Sequence, residues 1–143
     1  MLDFSMKGKV KVIMKDYIQD MLDKLPSDIM DGESATPSGE HLFTVKERPV
    51  LLDEATSQIF HTNTAKLLFL SKRARPDVQT TVAYLTTWLR APDEDDYKKL
   101  SHVMKYLRGS IDKILTLEGD VMHLHLGEIT SEIEIILAVR MEF

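Results

Sequence analysis

The sequence predicts an α+β chain that is mainly α. Three observations carry that expectation. Residues 53–108 hold three apolar runs at helical spacing, separated by Arg75-Pro76-Asp77 and by Pro92-Asp93. Residues 2–14 alternate about Gly8 in the manner of a β-hairpin. Beyond Gly109 the helical period gives way to short strand-like runs. The 143 residues suffice for one ordinary domain, and 43% hydrophobic content is enough to form a core.

Taken in order, Leu2–Met6 and Lys9–Met14 read as two strands with Gly8 as turn former. A lone hairpin is marginal in water, so it needs a partner surface. Residues 16–25 read as a helix: Tyr17, Ile18, Met21, Leu22 and Leu25 share one side, and Pro26 ends the run. Residues 26–52 show no period and contain Pro26, Pro37 and Pro49 with Gly32 and Gly39. Irregular stretches of that length are unusual in compact domains, which predicts a segment that is mobile or draped over a surface outside this sequence.

Asp53 is suited to cap a helix running to about Ala74. The stretch Ala65–Leu70 is apolar nearly all round, which predicts burial on more than one side. Asp77 is suited to cap the next helix, 77–90, with Val78, Val82, Leu85 and Leu89 on one face. Asp93 to Asp96 crowd the first turn of a third helix, 93–108, where the helix dipole favours acids. Tyr97, Leu100, Val103, Met104 and Leu107 form its apolar face, and Gly109 is placed to stop it. Leu67, Leu70, Val82, Leu85, Leu100, Val103 and Leu107 are the expected core. Residues 114–118 and 121–126 read as strands; 129–141 fits either a strand or a helix. The expected division is therefore 1–25, hairpin and first helix; 26–52, irregular loop; 53–118, helical region; and 119–143, tail.

Net charge is −5, spread unevenly: +1 over residues 1–25, −3 over 26–52, +1 over 53–118 and −4 over 119–143. An acidic chain is a poor stand-alone nucleic-acid binder, because phosphate attraction dominates such binding. A locally basic stripe within it remains compatible with that role. The absence of cysteine excludes disulfides, thiolate metal sites and a cysteine nucleophile. No apolar run approaches the ~20 residues of a membrane span, and the first residues lack a secretory pattern. The expectation is an intracellular chain, cytoplasmic or nuclear, not secreted and not membrane-bound.

Three motifs bear on chemistry. Asp95-Asp96-Tyr97 evokes the paired aspartates that hold two metal ions in polymerases, but the pair opens a helix and the aromatic residue follows it. Helix capping is the better reading. His123 and His125 share one face of a possible strand, whereas a zinc site normally needs four ligands, so no metal site is expected. Lys72, Arg73 and Arg75 cluster. Lys98, His102 and Lys105 share a helical stripe flanked by Lys99 and Arg108. Such stripes track phosphate backbones, and they equally describe a solvated helix face opposite a core, which the spacing alone favours. No phosphate loop, nucleophile elbow or dinucleotide fingerprint is present, and no catalytic residue is assigned.

The runs Lys72-Arg73-Ala74-Arg75-Pro76-Asp77 and Lys99 through Gly109, ending Tyr106-Leu107-Arg108-Gly109-Ser110, resemble segments of copia-type retrotransposon polyproteins, as does the Leu2–Val12 hairpin. The resemblance covers about residues 2–118, the part of the reverse transcriptase that follows its active site and precedes ribonuclease H. It implies a palm-end hairpin, a thumb-like bundle of three to four helices and a tether toward ribonuclease H. It further implies a non-catalytic role in positioning template–primer nucleic acid, with palm and ribonuclease H domains as missing partners. Magnesium would serve the parent polymerase, and no cofactor is expected in this segment. Lys72, Arg73, Arg75, Lys98, Lys99, Lys105 and Arg108 are the backbone-contact candidates. The tail departs from the family, since no aspartate follows Asp120; the expectation is a truncated or decayed element. The rival expectation is a small helical module whose apolar faces serve a protein partner.

Overall fold

The computed structural model describes residues 1–120 and 138–142. The elements are β1 (Leu2–Asp3), β2 (Lys9–Val12), α1 (Lys15–Asp23), α2 (Glu54–Arg73), a single 3-10 turn (Pro76–Val78), α3 (Gln79–Thr87), α4 (Glu94–Gly109), β3 (Leu115–Asp120) and β4 (Ala138–Glu142). This is an α+β chain, mainly α, with an N-terminal hairpin and short C-terminal strands. The expected strand at 121–126, His123 and His125, and most of 129–141 lie outside the described residues. The chain forms two compact units, one of residues 1–13 with 114–143 and one of residues 14–113.

The first unit is an antiparallel sheet in the order β1-β2-β3-β4. Gly8 makes the hairpin turn at φ +77°, a conformation open to glycine at little cost. β1 is shorter than its sequence pattern predicts because the Asp3 carboxylate accepts a hydrogen bond from the Ser5 amide at 2.9 Å, turning the chain out of the strand. β3 supplies the partner that the hairpin needs: Val10 pairs with Leu117, and Lys9 faces Glu118 with an ion pair at 3.2 Å.

The second unit is the helical core. Leu67, Leu70, Val82, Leu85, Leu100, Val103 and Leu107 are all fully buried, as their periodicity predicts. Phe60, Val78 and Met104 complete the centre. α1 packs with these helices, burying Ile18, Met21 and Leu22. α2 is not covered on every side: Leu68 and Phe69 are 36% and 44% exposed. Buried Asn63, Thr64 and Ser71 occupy its inner face instead, which is why the apolar run misleads.

The 26–52 stretch is draped, and its surface lies within this chain. Ile29 and Leu42 are buried. Ser101 donates to the Ile29 carbonyl at 2.7 Å, Arg108 to the carbonyls of Met30 and Gly32, Lys99 to that of Thr44 at 2.8 Å, and Thr81 to that of Pro37 at 3.2 Å. The loop ends by pairing with the α3–α4 connection: the Leu52 amide donates to Pro92 and the Glu94 amide to Val50. That second bond also satisfies one of the free amides at the start of α4.

Candidate nucleic-acid interface

The seven cations proposed from sequence divide into two sets. The first holds the fold together. Arg75 is fully buried, which removes it as a phosphate contact. Pro76 sets the chain so that Asp77 comes back to Arg75, giving a bidentate pair at 2.9 and 2.8 Å. Asp77 therefore does not cap α3. Its carboxylate also accepts from the Tyr106 hydroxyl at 2.7 Å. The guanidinium reaches the Ser110 carbonyl at 3.0 Å and the Ser110 hydroxyl at 2.8 Å, and lies over the Tyr106 ring at 5.5 Å. This network uses four of the five N–H donors of the Arg75 fork and joins the end of α2 to the end of α4. Burial pushes the Asp77 carboxyl up, but hydrogen bonds from Arg75 and Tyr106, with the charges of Arg75 and Lys113, outweigh it and hold it below the usual carboxylate range.

Lys99 and Arg108 are likewise committed. Lys99 is 11% exposed and bonds the Tyr84 hydroxyl at 3.0 Å and Asp95 at 3.0 Å, with its ammonium over the Tyr84 ring at 4.5 Å. Burial pushes its ammonium down; the bonds to Tyr84 and Asp95 more than offset this and raise it. Arg108 clamps the 30–32 backbone. Gly109 does not stop α4 by a left-handed turn. The helix runs through it, and Ser110 ends the helix at φ −124° while its hydroxyl bonds the Tyr106 carbonyl.

The second set faces outward. Lys72 and Arg73 sit in the last turn of α2, where the helix dipole favours cations, and both are exposed. The Arg73 guanidinium lies over the ring of exposed Phe69 at 4.8 Å, and the Tyr17 ring packs against Phe69 at 5.5 Å. Lys98 is exposed on α4 and Lys105 is half-buried there, one turn to each side of His102. Lys72, Lys98 and Lys105 form no ion pair among the described residues.

No family model, no curated protein and no solved structure matches this chain.

The acidic run that opens α4 does not fit a metal pair. Asp93 caps the helix, accepting from the Asp96 amide at 2.8 Å, and the Asp96 carboxylate accepts in turn from the Asp93 amide at 3.1 Å. Burial raises the Asp96 carboxyl above its ordinary value. Asp95 is held by Lys99 at 3.0 Å and Lys46 at 3.5 Å. The Asp93, Asp95 and Asp96 carboxylates are each committed to an amide or an ammonium, so no two of the run are free to converge on ions. Among the described residues, no group of three or more His, Cys, Asp or Glu is placed to hold a metal, and no helix is long and apolar enough to cross a membrane.

Sequence reasoning missed the Arg75–Asp77–Tyr106–Ser110 network. Its signal was present: an Arg-Pro-Asp triplet, and a hydroxyl pair at i, i+4 on a helix whose apolar residues lie on that same side.

Proposed function

We propose that this chain is the non-catalytic thumb and connection portion of a copia-type reverse transcriptase, acting to hold template–primer nucleic acid by its backbone. One observation supports the reading most. Two of the runs that carry the resemblance, 72–77 and 99–110, close on each other through Arg75, Asp77, Tyr106 and Ser110. Segments some thirty residues apart thus belong to one structural joint, and a chain that retains both retains the helical unit. The same joint leaves Lys72 and Arg73 outward beside exposed Phe69. Backbone contacts of this kind position a duplex and carry no sequence information.

The test is equilibrium binding of the purified chain to primer–template duplexes of unrelated sequence at low and raised salt. Comparable, salt-weakened affinities for all of them are expected; a preference for one base sequence counts against the proposal. The rival reading, a protein-interaction module, draws on exposed Phe43, Val45, Val50 and Leu51, with Phe43 edge-on to Tyr84 at 5.6 Å. It gains if no duplex binds even at low salt.

A further inference from the structure

The loop segment Ser34-Ala35-Thr36-Pro37-Ser38 lies against the outer face of α4. Ser34 Oγ donates to the Thr36 carbonyl at 2.8 Å, which leaves its lone pairs to the His102 ring Nε2 at 2.7 Å. The His102 ring thus shares a hydrogen bond with this turn. Thr36 Oγ1 stands 3.5 Å from the same nitrogen and donates to the Ser38 carbonyl at 2.9 Å. A side-chain carbon at Gly39 would meet the His102 ring at 3.8 Å, and one at Gly32 the Lys105 ammonium at 4.0 Å. The hydroxyl turn thus meets α4 at His102, with Lys98 and Lys105 one turn to each side of that ring.

The three hydroxyls are not equivalent. Ser34 is half-buried and bonded in both directions; Ser38 is half-buried. Thr36 is exposed, sits in irregular backbone and precedes a proline, which biases that residue toward the extended conformation in which a chain enters an enzyme cleft. A phosphoryl group on Thr36 adds close to two negative charges and three acceptor oxygens at a position 3.5 Å from the His102 ring nitrogen. It forfeits one neutral bond, to Ser38, and gains charge-assisted ones. The opposing charges are Asp31, Glu33 and Glu40, exposed on the same loop, and Asp95, which Lys99 and Lys46 already hold.

We propose that Thr36 is a phosphorylation site and that the α4 face of Lys98, His102 and Lys105 receives its phosphate, fastening the loop to the helix. In the transfer, Thr36 Oγ1 attacks the γ-phosphorus of a nucleoside triphosphate held by a proline-directed protein kinase. The Oγ1–P bond forms, the bond to the nucleoside diphosphate breaks, and the hydroxyl proton passes to a base of the kinase.

The test uses the full chain, a proline-directed kinase and ATP. Mass spectrometry is expected to find one phosphate, on Thr36, absent from Thr36→Ala. Phosphorus NMR then follows the second ionisation of that phosphate, ordinarily near pH 6. Nearby cations are expected to lower it by about one unit in the folded chain relative to the chain in urea. A triple change, Lys98→Gln with His102→Gln and Lys105→Gln, is expected to abolish the difference. Modification of Ser34 or Ser38 instead, an unmodified Thr36, or a phosphate that titrates alike in folded and unfolded chain overturns the proposal.

Discussion

Arg75 shows how a residue type misleads when its neighbours are set aside. Beside Lys72 and Arg73 it reads as one of three surface cations; in the fold it is the centre of a buried joint. Removing its partner leaves a buried charge uncompensated, so Asp77→Ala is expected to cost about 3–5 kcal/mol in urea unfolding. The pair also sets a pH dependence. The folded Asp77 carboxyl titrates below its unfolded value of about 3.9. Its contribution is therefore complete above that value and is lost as pH falls through the lower folded one. The stability gap between the wild type and Asp77→Asn should stay level above about pH 5 and narrow below about pH 4. Thr64 makes a contrasting case, because its buried hydroxyl finds no partner among the described residues. Thr64→Val should be neutral or stabilise the chain by about 1 kcal/mol, since it removes a polar atom that burial leaves unsatisfied. Clear destabilisation would mean that the hydroxyl has a bond not accounted for.

At the level of elements, the helices were readable because their cores follow a period. Leu100, Val103 and Leu107 recur at the spacing that puts them on one face, and all three are buried. The Asp93 cap was readable for a similar reason: an acidic first turn after proline has few other uses, and Asp93→Ala should cost about 0.5–2 kcal/mol. The 26–52 loop was not readable. Its anchors are side chains of α3 and α4 donating to loop carbonyls, and a carbonyl acceptor leaves no trace in residue type. The extent of α2 burial was misjudged because polar Asn63, Thr64 and Ser71 occupy the inner face while Leu68 and Phe69 face out. The loop anchoring changes where a protease should act. Trypsin is expected to cut first at Lys46, half exposed between anchored Thr44 and the paired 50–52 segment, ahead of sites within the helices. Residues 27–44 hold no lysine or arginine, so a protease of broad specificity completes the test: cutting there as readily as at Lys46 would show that the anchors do not hold.

For the whole molecule, the candidate interface was only partly legible: composition shows where cations fall in the sequence, not which of them the fold consumes. Arg75, Lys99 and Arg108 are spent on the joint, the Tyr84–Asp95 cluster and the loop backbone, leaving Lys72, Arg73, Lys98 and Lys105 as the set able to meet phosphates. The measurement closest to the central proposal is the salt dependence of primer–template binding by the wild type, Lys72→Gln, Arg73→Gln and Arg108→Gln. Each true phosphate contact contributes about 0.9 to the slope of log affinity against log salt. The expected result is a slope reduced in magnitude by about 0.9 for each of the first two variants and unchanged for Arg108→Gln. A salt-independent affinity, or slopes that ignore Lys72 and Arg73, would contradict it.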